Sequence, residues 1–357
     1  SADGSMATKL KNAMKNLPEN VKDDAIHEFL NMFGLQAPDN ANSIQQIKKP
    51  PKYMVDLYNA IADQDGVTRA PDLLDADTVR SIPNIDSRCP GRCRFDLQAV
   101  GEHEVVLDAE LHLYFEKPPT RSVSSSRTSN YMIKIYQILS DGDGEIQKTL
   151  VAGRRLPARL LGWQIFPLLT SVETWNSRKD DNLGILVECT TDNGEVVVQR
   201  RGLKGKSPIL ILFTNDSRNN IHKATIADIQ TSRPRRSLRN FSSLSTEASA
   251  SRHCRRYPLY VDFEEMGWSG WIIHPQGYNA YHCRGKCSFP ISQNLKPSNH
   301  ATVQSIMHTL GLGGQPVDMP CCTPDKLYDI NLLYFDHNDY VVLRRYKDMV
   351  AASCACR

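Results

Sequence analysis

Cysteines are the residues of this chain whose type and spacing could do chemistry most directly. Seven of its ten cysteines lie in the last third of the sequence. Two pairs are closely spaced, Cys283 with Cys287 and Cys354 with Cys356. This spacing suits a small ring closed by disulfides or a metal site, and six cysteines can pair in many ways. The spacing alone therefore leaves the connectivity open.

A zinc site is the main alternative to disulfides. Zinc ribbons usually place two residues between paired cysteines. Here three residues separate Cys283 from Cys287, and one separates Cys354 from Cys356. The gaps therefore favour disulfides, which persist in oxidising compartments. We expect no metal and no other cofactor.

Length and composition indicate two domains with ordinary cores. The chain has 357 residues, 40% of them hydrophobic, and a formal net charge of +3. This balance gives no strong attraction to nucleic acid or membranes. No apolar run approaches the roughly 20 residues that span a bilayer, and residues 1–9 lack the apolar core of a signal peptide. We expect a precursor whose signal has been removed.

Two apolar stripes predict helices near the N-terminus, at about 23–33 and 52–63. Gly34 follows the first stripe, where a helix would end. The residues of the first stripe are Ile26, Phe29, Leu30 and Phe33. Those of the second are Met54, Leu57, Tyr58 and Ile61. After Cys93 the pattern changes to alternation, as in Val105–Leu113, and to short apolar runs, which predict an antiparallel sandwich-like domain.

Several short motifs in the last third carry a resemblance to a known family. They are Tyr257–Phe263, Gly267–Trp268, Trp271–Ile273, Gly277–Tyr278, Asn299–Ala301, Cys321–Pro324, Leu333–Tyr334 and Tyr346–Val350. The segment from Cys254 onward resembles the mature growth factor of the TGF-β superfamily, within its bone morphogenetic protein (BMP) branch. The region before Cys254 is short for a prodomain, and in this respect the chain resembles the anti-dorsalizing morphogenetic subgroup of that branch. One departure is Ala355, where the family usually has glycine, and we expect slight strain there.

The resemblance implies a cystine knot. Its bridges would be Cys254–Cys322, Cys283–Cys354 and Cys287–Cys356. Gly285 would then face the inside of a small ring through which the Cys254–Cys322 bridge passes, and a Cβ would not fit beside that bridge. Cys321 is left over, and an odd cysteine in a secreted chain favours a bond to a second copy.

The fold implied by the resemblance is an α+β prodomain followed by a mainly β cystine-knot growth factor. The prodomain would cover residues 1–214, with its two helices followed by the sandwich-like arm domain, and the growth factor residues 253–357. In the family, the first helix and the second wrap the growth factor, which would place Phe29, Leu30, Phe33 and Tyr58 against it. The alternative is that both helices simply pack on the prodomain sheet. Cys89 and Cys93 could close a local loop, or one of them could bond to Cys189 on its predicted strand. The thiol left over would be either free and buried or bonded to a second prodomain.

Residues 215–252 have the composition of a flexible linker. It contains the basic run Arg233, Pro234, Arg235 and Arg236, and we expect a proprotein convertase to cut after Arg236. Glycosylation sequons begin at Asn215 and Asn240. Just after the linker, Arg252, His253, Arg255 and Arg256 form a basic cluster, either a solvated tail or a heparan sulfate contact.

The function implied by the resemblance is receptor recognition by a secreted homodimer or a heterodimer with another BMP. The type I receptor surface would comprise Trp268, Trp271, Leu295 and Met307, with core packing as the alternative for the tryptophans. The type II surface would comprise His274, Asn331, Leu332 and Leu343. His274 departs from the small residue of close relatives, which predicts altered or pH-sensitive receptor binding.

We therefore expect SMAD signalling through type I and type II receptor serine/threonine kinases, with the prodomain and extracellular antagonists as further partners. The histidines are scattered, and no P-loop, zinc-protease or nucleophile-elbow motif is present, so we expect no enzyme. A secreted cystine-knot antagonist or matrix protein is the alternative.

Overall fold

The computed structural model describes residues 30, 34–35, 48–69, 73–86, 91–115, 130–141, 146–157, 162–191, 205–216, 253–314 and 316–357. Within these residues the helices are α1 (Lys52–Ile61), α2 (Leu169–Ser177) and α3 (Asn299–Leu310), with 3₁₀ turns at Lys179–Asp181 and Gln293–Leu295. The strands of the N-terminal domain, up to Asp216, are β1 (Thr78–Pro83), β2 (Arg92–Cys93), β3 (Glu104–Tyr114), β4 (Asn130–Asp141), β5 (Ile146–Pro157), β6 (Trp163–Pro167), β7 (Ile185–Thr191) and β8 (Ile209–Asp216). Those of the C-terminal domain, residues 253–357, are β9 (Arg255–Tyr257), β10 (Tyr260–Asp262), β11 (Ile272–His274), β12 (Gly277–Asn279), β13 (His282–Arg284), β14 (Cys322–Phe335) and β15 (Val341–Cys356).

The structure describes the end of the first predicted N-terminal helix and the whole of the second. Leu30 is helical, Gly34 has φ +57°, and the Leu35 N–H donates to the Leu30 carbonyl at 2.8 Å. This pattern is a Schellman helix end, which needs a left-handed residue at the glycine position. Helix α1 buries Met54 and Tyr58 on one face, as its apolar stripe predicts.

Helix α1 ends at Ile61, two residues earlier than expected. The Ala62 backbone is extended, at φ −119° and ψ 158°. Ala62 instead pairs with Thr68 in an isolated bridge. This early end turns the chain back toward the sheet, where the residues after the helix reach the C-terminal domain.

One seven-stranded antiparallel sheet runs through both domains, in the order β11-β14-β15-β1-β8-β3-β6. Its first three strands belong to the C-terminal domain and the other four to the N-terminal domain. The junction is the pairing of β1 with β15, from Thr78 opposite Arg344 to Ser81 opposite Val341. The two domains therefore share backbone hydrogen bonds, not only side-chain contacts.

A second sheet, in the order β2-β7-β4-β5, completes a sandwich in the N-terminal domain. Buried side chains from both sheets and from α2 form one core, including Leu111, Ile133, Trp175, Ile185 and Leu212. The fold class expected from the sequence is confirmed. Within the described residues, no helix is both long and apolar enough to cross a membrane.

The alternation predicted for Val105–Leu113 holds only in the second half of β3. A bulge between Val106 and Asp108 shifts the register, so Val105 and Leu107 are exposed whereas Ala109, Leu111 and Leu113 lie in the core. His112, between the two leucines, is also buried and contacts the Tyr53 ring. An inserted residue reverses which side chains face inward. At the far end of the domain, β8 runs to Asp216 and takes in the first two residues of the expected linker.

Candidate functional site

Three disulfides form the small core of the C-terminal domain: Cys254–Cys322, Cys283–Cys354 and Cys287–Cys356. These are the pairs that the family resemblance implies. The sulfurs of Cys254, Cys287 and Cys356 lie within 4.8 Å of one another. All three are oxidised, so none offers the thiolate that zinc would bind.

Gly285 lets two chain segments touch inside this core. Its φ is +130°, and a Cβ built on it would lie 2.1 Å from the His253 carbonyl oxygen. The obstacle is thus the backbone of His253 and Cys254 rather than the sulfurs of a passing bridge. Ala355, buried in β15 opposite Thr323, has no positive φ, so the alanine there needs no strained backbone.

Cys321 is exposed and unpaired, directly beside the bridged Cys322. Two backbone hydrogen bonds to Arg357 hold it, from the Cys321 N–H at 2.8 Å and to its carbonyl at 2.9 Å. An exposed thiol on such a fixed backbone can bond to a second molecule without a change in the fold.

The residues expected to bind a type II receptor lie on the finger strands of the C-terminal domain, β11, β14 and β15. His274, Asn331 and Leu343 share one face of the sheet, since His274 and Leu343 both lie opposite Leu333, two residues after Asn331; we call these three residues the finger patch. Leu332 lies opposite Arg344 and projects to the other face, so its place in the expected site is wrong. The finger patch is covered: Asn331 is 2% exposed, Leu343 is 1% exposed and His274 is half-buried. Three segments of the N-terminal domain provide the cover.

Strand β1 is the first covering segment. Val79 lies opposite Leu343 in the shared sheet. Next to this pair, the Arg345 Nη2 donates to the Asp77 Oδ1 at 2.5 Å and the Arg345 N–H donates to the Asp77 carbonyl at 2.9 Å. The two side chains are only 13% and 7% exposed. A charge-assisted bond thus fixes the register of β1 on β15 in a poorly solvated place.

The second covering segment is the turn after α1. The Asn331 N–H donates to the Gly66 carbonyl at 2.7 Å, and its side-chain amide donates to the Thr68 hydroxyl at 2.9 Å. Val67 pairs with Ile330 in a bridge. Gly66 has φ +78°, and an added Cβ would lie 3.0 Å from the Asn331 carbonyl. The finger hairpin is therefore held from the β14 side as well as from the β15 side.

The third covering segment is helix α1, which packs on β14 and β15. The Tyr58 ring stacks on the His274 imidazole, with 5.5 Å between centroids and 20° between planes. Burial raises the pKa of Tyr58 and lowers the pKa of His274. The neighbouring Asp63 and Asp65 add to the shift of Tyr58. Both rings are therefore neutral in this contact at neutral pH.

The residues expected to bind a type I receptor are placed differently. Trp268 and Trp271 are 4% and 1% exposed, with ring centroids 5.8 Å apart, and they pack on Phe263 and Tyr334. Leu295 lies half-buried against the disulfides. Met307 lies half-buried on α3, a helix whose Val303 and Leu310 are 58% and 62% exposed. Ser298 begins α3 by accepting from the Ala301 N–H, and left-handed Gly311 ends it.

Comparison with known proteins decides the family. Residues 8–216 match the TGF-beta propeptide model, and residues 253–356 match the transforming growth factor beta like domain. The chain belongs to the TGF-β superfamily. It is 31% identical to bone morphogenetic protein 4 of Gallus gallus, with 92% of this chain and 85% of the relative covered. It is 30% identical to the same-named proteins of Suncus murinus and Oryctolagus cuniculus over the same shares.

These matches put the chain in the BMP branch, so the N-terminal domain is a prodomain and the C-terminal domain a growth factor. Family membership implies dimerisation, receptor binding and association with the prodomain in general terms. The relatives are growth factors rather than enzymes.

Of the prodomain residues expected to contact the growth factor, two are described. Tyr58 stacks on His274, and Leu30 packs against the core that the two domains share. Phe29 and Phe33 lie outside the described residues. The contacts made by Gly66, Thr68 and Asp77 were not predicted. An Asp-Gly pair at 65–66 does signal a turn, but no sequence signal tells what that turn binds.

Of the three predicted processing sites, only the sequon at Asn215 begins within the described residues. The cleavage residues Arg233, Arg235 and Arg236 and the sequon at Asn240 lie outside the described residues. Asn215 sits in β8, where its amide nitrogen donates to the Asp75 carbonyl at 3.2 Å and its oxygen accepts from the Asp77 N–H at 2.6 Å. A glycan on Asn215 would replace one of the two hydrogens on the nitrogen that makes the first of these bonds.

The two prodomain thiols that the structure describes, Cys93 and Cys189, are buried and unbridged. Cys93 lies in β2 opposite Ile185, and Cys189 lies four residues farther along β7, so the two do not bond to each other. Burial raises the pKa of Cys93 to about 12 and that of Cys189 to about 11. Protonated, enclosed thiols react poorly. Cys89 lies outside the described residues.

Proposed function

We propose that this chain is a secreted BMP-type signalling precursor. Cleavage after Arg236 and dimerisation through Cys321 would yield a ligand that assembles type I and type II receptor serine/threonine kinases and activates SMAD proteins. The observation that carries this proposal is the prodomain cover on the finger patch of His274, Asn331 and Leu343. A surface that the prodomain keeps away from solvent and partners fits one that binds a receptor after the prodomain has left.

The proposed type II site is that finger patch. Leu343 and its cross-strand partner Leu333 supply apolar area, and the Asn331 amide and the His274 ring supply polar contacts. Exposed clusters of this kind bind partners strongly where they can be fully desolvated. While the prodomain is in place, β1 pairs with β15 and the turn at Gly66–Thr68 bonds to β14 at Asn331. A receptor could not reach these strands at the same time. The prodomain and a type II receptor would therefore exclude each other.

The proposed type I site needs two copies of the chain. Trp268 and Trp271 pack into the base of the fingers, while α3 leaves Val303 and Leu310 uncovered. A twofold dimer bonded through Cys321 would lay α3 of one copy against the fingers of the other. Leu295 and Met307 would then border a concave surface built from both copies. A heterodimer with another BMP would use the same surfaces, and extracellular antagonists would bind there too.

Receptor-dependent signalling by the purified ligand tests the proposal. Cells are treated with the cleaved dimer, and SMAD phosphorylation is compared with that from a variant carrying Arg233, Arg235 and Arg236 all changed to Ala. We expect phosphorylation from the cleaved dimer that disappears when either receptor type is blocked. The uncleaved control should be much weaker. A cleaved dimer that blocks signalling by another BMP without activating SMAD proteins would favour the antagonist alternative.

A further inference from the structure

The tip of the finger hairpin, between β14 and β15, reaches into the core of the prodomain. Tyr340, which directly precedes β15, is 7% exposed and packs among the buried side chains of the prodomain sandwich. Within the described residues, it is the only growth factor side chain buried in that core, and it takes no part in the core that the fingers share with α1. The prodomain therefore holds this tyrosine at a place separate from the finger patch.

The turn that presents Tyr340 is stabilised by its own polar groups. The Asp339 N–H donates to the Asp336 carbonyl at 2.9 Å, and Asp339 itself has a left-handed backbone at φ +60°. A tight turn followed by one left-handed residue is a common connection in hairpins. The Asp336 carboxylate accepts from the N–H groups of Asn338 at 2.9 Å and Tyr340 at 2.8 Å. All of these bonds lie within the growth factor, so they do not depend on the prodomain.

Tyr340 completes a row of apolar side chains that crosses the shared sheet. It lies one residue beyond the last pair between β1 and β15, Ser81 with Val341, and therefore stands beside Ile82. From there the row continues on β8, β3 and β6 through three further side chains, each at most 1% exposed: Leu210, Leu111 and Phe166. Without the growth factor, β1 would be an edge strand and the row would end at Ile82. The prodomain core is thus incomplete on this side until the fingertip fills it.

The charged groups that act on the Tyr340 ring are acidic. Burial raises the pKa of Tyr340 to about 12, and the carboxylates of Asp96 in the prodomain and Asp336 in the turn add to the shift. At the rim, Lys48 of the prodomain pairs with Asp339 at 2.8 Å, where both side chains are partly exposed and the pair adds little. The site therefore accepts a neutral ring and disfavours an acidic side chain, which would lose its hydration and meet like charges.

We propose that Tyr340 is the residue by which the prodomain selects its growth factor. A fingertip fits the site when it carries a large aromatic side chain at this place. A small residue would leave a cavity at the end of the apolar row, and an acidic one would bury a charge beside Asp96. This selection concerns which growth factor a prodomain holds, and it is independent of which receptors the released ligand binds.

Prodomain release from the cleaved, co-secreted complex, immobilised through the growth factor, tests the assignment. Tyr340→Ala should release the prodomain at least about a hundredfold faster than wild type, because truncation of a buried aromatic ring leaves a cavity. Tyr340→Phe keeps the ring and should stay near the wild-type rate. The matched control is Tyr328→Ala, which removes a tyrosine that is 53% exposed on β14 and should change nothing.

Two outcomes of this experiment count against the assignment. It fails if Tyr340→Ala releases the prodomain no faster than Tyr328→Ala. The melting temperature of the released Tyr340→Ala dimer should also equal that of the wild-type dimer. A lower value would mean that the ring stabilises the growth factor itself, and the role in selection would be lost.

Selection is measured directly by exchange. The cleaved wild-type complex is challenged with an excess of labelled free dimer, and the label that becomes bound to the prodomain is counted at equilibrium. Labelled wild-type and Tyr340→Phe dimers should exchange into the complex, whereas Tyr340→Glu should do so at least about a hundredfold less. Equal exchange by the wild-type and Tyr340→Glu dimers would overturn the proposal.

A further measurement needs no variant. Tyrosine nitration of the wild-type protein is mapped by mass spectrometry in the precursor and in the released dimer. Tyr340 should be protected in the precursor and react after release, while the exposed Tyr328 should react in both. A Tyr340 that reacts equally fast in both states would contradict its enclosure by the prodomain.

Discussion

Replacing Tyr58 with alanine should release the prodomain from the growth factor more readily. The ring is 4% exposed and stacks on His274. An aromatic side chain of this kind buries at least about 150 Å². At about 25 cal/mol per Å², and with about half of that area facing the growth factor, the loss is about 2 kcal/mol. This corresponds to roughly 30-fold weaker association.

Tyr58→Phe is the matched control. Within the described residues, the Tyr58 hydroxyl is buried without a hydrogen-bond partner. Its removal takes away an unsatisfied polar group and keeps the ring, so association should stay the same or tighten slightly. The two variants therefore separate the ring from the hydroxyl.

The assay follows prodomain release from cleaved, co-secreted complexes immobilised through the growth factor. The Tyr58→Ala complex should dissociate roughly 30-fold faster than wild type, if association rates are similar. Its melting temperature as an uncleaved precursor reports any general loss of folding. The role given to the ring would be refuted if the Tyr58→Ala complex released its prodomain at the wild-type rate. It would also be refuted if the Tyr58→Phe complex released its prodomain as fast as the Tyr58→Ala complex.

Three further changes test other contacts. Asp77→Asn leaves the buried Arg345 without its counter-charge and should cost about 3 kcal/mol, roughly 150-fold in prodomain affinity measured by the same release assay. Cys321→Ser should abolish the covalent dimer on non-reducing gels while a noncovalent dimer persists in sedimentation. Because burial lowers the pKa of His274, acid should speed prodomain release as the pH falls below about 6.5, where the exposed ring of the released growth factor gains a proton. His274→Gln should weaken that pH dependence.

Each of these has an outcome that counts against it. A double change of Asp77→Asn with Arg345→Gln should cost less than the two single costs added together, since no lone charge stays buried; simple additivity would deny their coupling. A covalent dimer that survives Cys321→Ser would point to another thiol. If His274→Gln kept the wild-type ratio of the release rate at pH 5.5 to that at pH 7.4, this histidine would be excluded as the sensor.

The local elements could be predicted because their causes are local. Met54 and Tyr58 recur at helical spacing, and Gly34 supplies a left-handed helix end, so both helices are visible in the sequence. The structural role of Gly285 could be predicted because a residue at the inside of a tightly packed ring cannot carry a Cβ. The disulfide pairs came from resemblance to a family, since spacing alone left many pairings open.

The arrangement between the domains could not be predicted, because its causes lie far apart in sequence. The pairing of Val79 with Leu343 and the bond from Asn331 to Thr68 join residues more than 260 positions apart. A polar Asn331 in a strand gives no sign of what will cover it. Arg256 was misplaced for a similar reason. The sequence groups it with Arg252, His253 and Arg255 as one basic cluster, but strand alternation sends neighbouring side chains to opposite faces, and Arg256 donates to the carbonyls of Ala351 and Ala352.

The most direct test of the account is competition between the prodomain and a type II receptor ectodomain for the growth factor dimer. Purified prodomain is titrated into the dimer with a panel of type II ectodomains, with type I ectodomains as the comparison. We expect the apparent type II affinity to fall in proportion to prodomain concentration, and the Tyr58→Ala prodomain to compete roughly 30-fold less well. A stable complex that holds prodomain, growth factor and type II ectodomain together, at undiminished receptor affinity, would contradict the claim that the prodomain covers the receptor site.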